Sequence, residues 1–414
     1  MKKYPIPSLL LVPILVMSLL VSLFPMPAVQ ATTTTTTPAA ATFTFTDPYK
    51  DSKTLLAKVH DRIEQAVPGS TIRIAVYSIR NTDPSTDPKG VKDPTVNRLV
   101  AAYRRGVNVR ILLDDHTKDF AKYPSVGYLA SVLKTDKTKN SYVTWCKGGC
   151  NSSDSSGKVH IKLYLFSQSG SDKAIMISSS QSLTNLDDKF FDDAIEITGN
   201  TAIYTSAYQY FNTMLKDKNT SYCKTVSDGP YTVFYFPSST CTDPALSAFS
   251  QVKCTGVDSK YGDGKGHTVI RLAQLSWTEP RTNVARKLRD LNAQGCRIQL
   301  FYNSNQMDQD IMKILKTPAK DGRTIDTQDA HNSTVSIHHK MFSINGLYRG
   351  KNVRFVVAGN SNMTGAGIHA NNDMLVRVVS DAAYNAYQKQ FQLLDSHAHP
   401  STDAAPGTGE GEEE

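Results

Sequence analysis

Apolar and polar positions along this chain follow two periods. Runs rich in β-branched and alternating apolar residues mark strands at Thr71 to Ile79, Val107 to Leu113, Lys158 to Phe166 and Ala174 to Ser178. A second set lies at Val269 to Trp277, Cys296 to Tyr302, Ser336 to Ile344 and Arg354 to Ala358. Between the first two strands of each set the spacing turns helical. One helix starts near Thr95 and closes on Gly106, and the other starts near Thr282 and closes on Gly295. A glycine there suits the left-handed turn that ends a helix. Strand, helix, glycine stop, strand is a βαβ unit, and it occurs twice.

The two copies stay in step beyond that unit. Lys158-Val-His-Ile-Lys-Leu-Tyr-Leu-Phe166 corresponds to Ser336-Ile-His-His-Lys-Met-Phe-Ser-Ile344. A period of two places His160 with Lys162 on one strand face, and His338 with Lys340 on another. A short strand and a polar turn follow in each copy, Ser179 to Thr184 and Gly359 to Thr364. A further strand then begins at Asp193 or Asp373. Ser182 to Asp193 and Asn362 to Asp373 are both eleven residues apart. Closing helices carry Ala207-Tyr-Gln209 and Ala386-Tyr-Gln388. Tandem duplication accounts for this, and the expected fold is two α/β halves, 46–225 and 226–399, packed face to face.

The ends differ in kind from the body. Met1-Lys2-Lys3, an apolar run from Leu9 to Phe24 and the small-residue end Val29-Gln30-Ala31 make a secretory signal over 1–31, cleaved near Ala31. The run is about 16 residues and contains Pro13, short of the ~20 needed to span a bilayer; an uncleaved anchor is the alternative. Residues 32–45 read as a Thr-rich linker, and 400–414 as a disordered acidic tail. Export makes the six cysteines candidates for disulfides. Cys146 with Cys150 closes a local loop, and Cys223–Cys241 with Cys254–Cys296 is one of several pairings for the rest. Their spacings do not form the paired knuckles of a zinc site.

Composition narrows the class. At 40% hydrophobic and 20% charged the bulk of the chain is globular, and a net charge of +8 favours an anionic partner: phosphate, nucleic acid or an acidic membrane surface. P-loop, Gly-x-Ser-x-Gly and His-Glu-x-x-His signatures do not occur in the sequence. One His-x-Lys carries little information among ten histidines. Two of them, each followed in register by a polar turn and an aspartate, point to chemistry. Histidine titrates near working pH and suits nucleophilic or acid–base work, and lysine supplies fixed positive charge to an anionic group.

On these residues the chain resembles the phospholipase D superfamily, whose signature is His-x-Lys-x-x-x-x-Asp followed by a Gly-Ser-x-Asn-like turn. The resemblance runs from about residue 50 to 395. It implies mixed β-sheets flanked by helices, a site where the two halves meet, and catalysis without a metal or other cofactor. It implies His160 as nucleophile and His338 as acid, with Lys162 and Lys340 on the phosphate. Ser180, Ser182, Asn360 and Asn362 match the turn ligands, and Asp193 and Asp373 the acidic partners of the histidines. For the aspartates, a strand-end carboxylate facing water is the alternative. The implied activity is that of a secreted, monomeric phosphodiesterase acting on glycerophospholipids such as phosphatidylcholine, by hydrolysis or transfer to an alcohol. A nuclease of the same superfamily, or a phosphate-binding relative without turnover, is the other reading. The signature also departs from type: Ser167 and Asn345 stand where it ends in Asp, Ser182 where Asn is usual, and Ser179 where Gly is usual.

Smaller features stay open at this level. Asp114 and Asp115 end a strand on the side where α/β sheets bind ligands, or serve as turn and cap residues. Trp277 lines a pocket or belongs to the core. His331 and His339 read as structural or exposed. Residues His116 to Tyr142, with Tyr123, Tyr128 and several lysines, form an insertion that shapes the entrance.

Overall fold

The computed structural model describes Met1 and residues 39–400, apart from Ser153, Asn219, Thr220 and Ser238. The signal segment, the first part of the linker and the acidic tail lie outside the described residues. Among those described, no helix is long and apolar enough to cross a membrane.

Two sheets repeat one strand order. In the first, Asp193–Thr198, Asp172–Ser179, Leu163–Ser169, Thr71–Val76, Asn108–Asp114 and Tyr142–Cys146 lie side by side. The second sets Asp373–Val379, Lys351–Gly359, Lys340–Tyr348, Val269–Gln274, Arg297–Tyr302 and Asp326–Asp329 in the same succession. The three strands at one side are antiparallel and the βαβ pairs are parallel, so both sheets are mixed. This is the duplicated α/β architecture expected from the repeat.

Strand alternation sorts side chains into three apolar layers. Leu163 and Leu165 join a central core shared by both halves, while Tyr164 and Phe166 face an outer core with the helices Thr54–Glu64, Pro94–Arg104 and Pro124–Leu133. In the second half Val356 and Ala358 face the centre, and Phe355 and Val357 face the outer layer with Thr282–Ala293 and Gln309–Leu315. The central core holds Tyr210 of the closing helix Thr201–Met214 and Tyr387 of Asp381–His397. Helix starts follow local chemistry. Asp93 accepts from the backbone N–H groups of Thr95 and Val96 with Pro94 at the first helical position, and Ser380 does the same for Ala382 and Ala383.

The body begins earlier than expected. Ala40–Phe45, read as linker, pairs with Asp193–Thr198 as an edge strand. The alternation Thr42-Phe-Thr-Phe45 explains it: Phe43 and Phe45 pack edge-on against Tyr387, at 5.9 and 5.0 Å between ring centres. The second half has its own edge hairpin, Lys224–Asp228 with Tyr231–Phe236, laid on Asp373–Val379. Three disulfides close Cys146–Cys150, Cys223–Cys241 and Cys254–Cys296. Trp277 is a core residue, fully buried, with its indole N–H donated to the Arg281 carbonyl.

Candidate active site

The His-x-Lys segments do not run inside their sheets as the period of two implied. Ladder pairing starts only at Leu163 in the first half and at Lys340 in the second. The residues just before cross to the opposite half. Ser336–Ile337 pairs in parallel with Phe190–Phe191, and the His338 N–H donates to the Phe191 carbonyl. In the reciprocal crossing the Asn372 N–H donates to the Lys158 carbonyl, and the Asn371 side chain accepts from the Lys158 N–H at 3.0 Å. Asn372 also accepts from the Cys150 N–H at 2.6 Å. Each motif is therefore held by the other half.

The crossings pair each histidine with a carboxylate from the opposite half. His160 Nδ1 lies 2.8 Å from Asp373 Oδ1, and His338 Nδ1 lies 2.8 Å from Asp192 Oδ1. A carboxylate on Nδ1 fixes the ring so that Nε2 is the reactive nitrogen. Asp373 sits where the sequence placed it, but Asp193 does not face His338. Asp193 Oδ1 is 2.7 Å from His339 Nδ1, and its other oxygen accepts from the Tyr387 hydroxyl at 2.8 Å. His339 is fully buried and its Nε2 meets the Gln390 amide at 3.0 Å.

Hydrogen bonds around the turns give the reason. Ser180 N–H donates to the Asp193 carbonyl and Ser180 Oγ accepts from the Asp193 N–H. Asn360 makes the same two bonds to Met374. Asp193 thus corresponds to Met374, and Asp192 to Asp373. One extra residue in the second copy between turn and strand hides this from a count of spacings.

The turn residues are occupied. Ser180 Oγ lies 2.6 Å from Asp192 Oδ1, completing a Ser180–Asp192–His338 chain. Asn360 donates to the carbonyls of Ser179 and Lys162 across the junction. Ser180 thus acts on the carboxylate that holds His338, while Asn360 bonds Met374, the neighbour of Asp373. Ser182 and Asn362 are buried in their turns. Ser167, at a departure from the signature, accepts from the Thr71 N–H, and Asn345 from the Gly262 N–H; both link neighbouring segments away from the histidines.

The four motif side chains are all buried, at 1% exposure for His160, 2% for Lys162, 5% for His338 and 1% for Lys340. Burial, joined by the charges of Lys340 and Lys162, holds the pKa of His338 below its ordinary value despite the opposing pull of Asp192. Asn360 reaching the Lys162 carbonyl and Asp373 holding His160 bring the second half onto the first motif at this junction. For Asp192, burial opposes ionisation, but His338, Ser180 and Lys340 together outweigh it and hold the carboxyl below its usual range. Phe190 stacks on the His338 ring at 5.2 Å, and Tyr77 stands edge-on to His160 at 6.2 Å. Sequence reasoning missed Asp192, Phe190, Asn371 and Asn372. The Asp192-Asp193 doublet was the one visible signal. A cavity of about 600 Å³ lined by Asp263, Arg271, Arg297 and Tyr384 opens at the opposite end of the second sheet, so it is not the site of this chemistry. No group of three or more candidate metal ligands occurs among the described residues.

Two α/β halves, each giving a His and a Lys to one buried junction, define the class: a two-half PLD-like protein. The family model described as cardiolipin synthase, PLD-like domain, matches residues 59–215 and 265–394, and the chain belongs to that family. Members of its superfamily act on phosphodiesters. Among solved structures, phosphatidylserine synthase of Haemophilus influenzae Rd KW20 aligns with a TM-score of 0.57 at 10% identity, over 88% of each chain. Polyphosphate kinase of Porphyromonas gingivalis aligns with a TM-score of 0.53 at 12% identity, over 89% of this chain and 53% of the kinase, so the protein spans about half the kinase's length. At such identity the likeness concerns the fold. No curated protein matches the sequence.

Proposed function

We propose that the protein is an exported phosphodiesterase of the phospholipase D type, acting on glycerophospholipids through a phosphohistidine. The observation that carries this reading is the reciprocal pair of dyads, His160–Asp373 and His338–Asp192, with two buried lysines beside them. With Nδ1 held by Asp373, the Nε2 lone pair of His160 attacks phosphorus. The bond from phosphorus to the head-group oxygen breaks, and that oxygen takes the Nε2 proton of His338. Water then attacks phosphorus and gives a proton back to His338, and the phosphorus–nitrogen bond breaks to release phosphatidic acid. An alcohol in place of water gives the exchanged phospholipid. Lys162 and Lys340 neutralise the phosphoryl oxygens, and the incoming anion favours the charged form of His338 that burial disfavours. Ser182 and Asn362 contact phosphate, with Ser180 and Asn360 positioning the dyads. Export is supported by the signal-like start and agrees with three disulfides.

The test is to incubate the purified protein with phosphatidylcholine micelles, ethanol and EDTA, and to look for phosphatidylethanol by mass spectrometry. The expected result is phosphatidylethanol from the wild type and none from His160→Ala or His338→Ala. Product from both variants would sink the mechanism. Failure on lipid with cleavage of DNA in the same buffer would move the assignment to a nuclease, which the net charge of +8 also suits.

A further inference from the structure

We infer that two neighbouring loops of the first half, Pro88–Lys92 and Lys118–Lys122, form a lip that docks the protein on an anionic phospholipid surface beside its active site. This rests on the lipid reading above. Large apolar side chains exposed among the described residues are few, and two of them stand at these loop tips: Val91 at 43% and Phe120 at 45%. Each is flanked by exposed lysines, Lys89 and Lys92 around Val91, Lys118 and Lys122 around Phe120.

The tips are neighbours because both rest on the start of helix Pro124–Leu133. Gly90 sits so tightly on the backbone of Pro124 and Ser125 that a Cβ would come within 2.2 Å of it. The Phe120 ring covers Gly127, where a Cβ would lie 3.1 Å from Cγ. Both loops are also fixed from within. Buried Asp87 accepts from the N–H groups of Val91 and Lys92 at 3.1 and 2.8 Å, and Asp119 from those of Ala121 and Lys122 at 3.1 and 3.4 Å. Asp119 is the one exposed carboxylate among these ten residues. The surface is thus rigid, basic and tipped with apolar groups, which is the composition that enters an anionic interface.

The lip connects directly to the site. The turn that presents Phe120 starts at Asp114, whose Oδ2 accepts from the Val159 N–H at 2.8 Å, one residue before His160. Asp114 Oδ1 holds His116 Nδ1 at 2.6 Å, and the His116 ring lies 4.3 Å from Tyr77 beside His160. Among the described residues the other half has no such lip. Its corresponding segments meet in a bridge between Trp277 and Met307, both fully buried. Docking is therefore one-sided, and it sets the first half toward the lipid.

The experiment is sedimentation of the full chain with vesicles of phosphatidylcholine, alone or with about a third phosphatidylglycerol. Turnover of bis(p-nitrophenyl) phosphate, a soluble diester needing no interface, is followed in parallel. Wild type partitions to the anionic vesicles. Lys118→Gln with Lys122→Gln lowers that partition by about thirty-fold, and Phe120→Ser by about tenfold. Soluble turnover stays within about twofold in both variants, since none of the three residues touches a motif side chain. Partition equal to wild type in both variants overturns the inference. So does displacement of the vesicles by single-stranded DNA with no effect of Phe120→Ser, which would make the surface a nucleic-acid face. A wild type that turns over neither the soluble diester nor lipid sinks the catalytic reading instead, while its partition still decides the lip.

Discussion

Asp192 and Asp193 are adjacent carboxylates with different tasks. Asp192 orients His338, whereas Asp193 joins His339, Tyr387 and Gln390 in a buried network behind the site. Replacing Asp192 by Asn puts an amide where Nδ1–H needs an acceptor and favours the wrong imidazole tautomer. Turnover of a soluble diester is expected to fall about a thousand-fold with a small change in melting temperature. Asp193→Asn should do the reverse. It breaks a fully buried pair, costing about 3 kcal/mol in denaturant unfolding, while the folded enzyme keeps most of its turnover. If the two variants have equal effects on rate, the assignment of partners is wrong.

At the scale of elements, the segments entering the site are short and irregular, and cross-links hold them. The Cys146–Cys150 loop meets the second half where the Cys150 N–H bonds Asn372, which itself bonds Lys158. Its sequence separation is 4, against 42 for Cys254–Cys296. Chain entropy then gives about 2 kcal/mol for the first bond and about 4 kcal/mol for the second. Replacing each pair by Ser should show the opposite order in activity. Loss of Cys146–Cys150 disturbs the support of His160 and lowers turnover at modest cost in stability. Loss of Cys254–Cys296, which lies in the outer core of the second half, lowers the melting temperature and leaves the rate of the folded protein largely intact. Thermal unfolding and soluble-diester kinetics on both variants separate the two.

For the whole molecule, the site exists only while the halves are joined, because His160 and His338 each take their carboxylate from the opposite half. The pH dependence follows. His338 has its folded pKa lowered, first by burial and then by Lys340, so it resists protonation. In the proposed role of acid it must carry a proton, so kcat/KM, which reports the free enzyme, should fall as pH rises through a value below the ordinary ~6.5. If His338 were the nucleophile, the same group would give a limb that rises with pH. Stability has the opposite sense. The contribution from keeping His338 neutral is complete above ~6.5 and is lost as pH falls through the lowered value, so acid should loosen the junction first. Kinetics and chemical denaturation across pH 4 to 8, roughly the window of histidine titration, check both signs.

The sequence alone determined the duplication, the α/β class, both His-x-Lys pairs and Asp373, because hydrophobic period and repeated motif are local properties of the chain. It made the six cysteines candidates for disulfides but left their pairing open, and the structure joins them as Cys146–Cys150, Cys223–Cys241 and Cys254–Cys296. Only the tertiary structure decided that Asp192 rather than Asp193 serves His338, since a one-residue difference between the copies changes which carboxylate points across the junction. It likewise decided that residues 40–45 are a strand, which depends on Tyr387 more than three hundred residues away. Trp277 and Phe120 show the same division. Both are large aromatics near strand ends in the sequence, yet one is core and the other exposed. Burial is a property of what packs on a residue, and that is set by the whole fold.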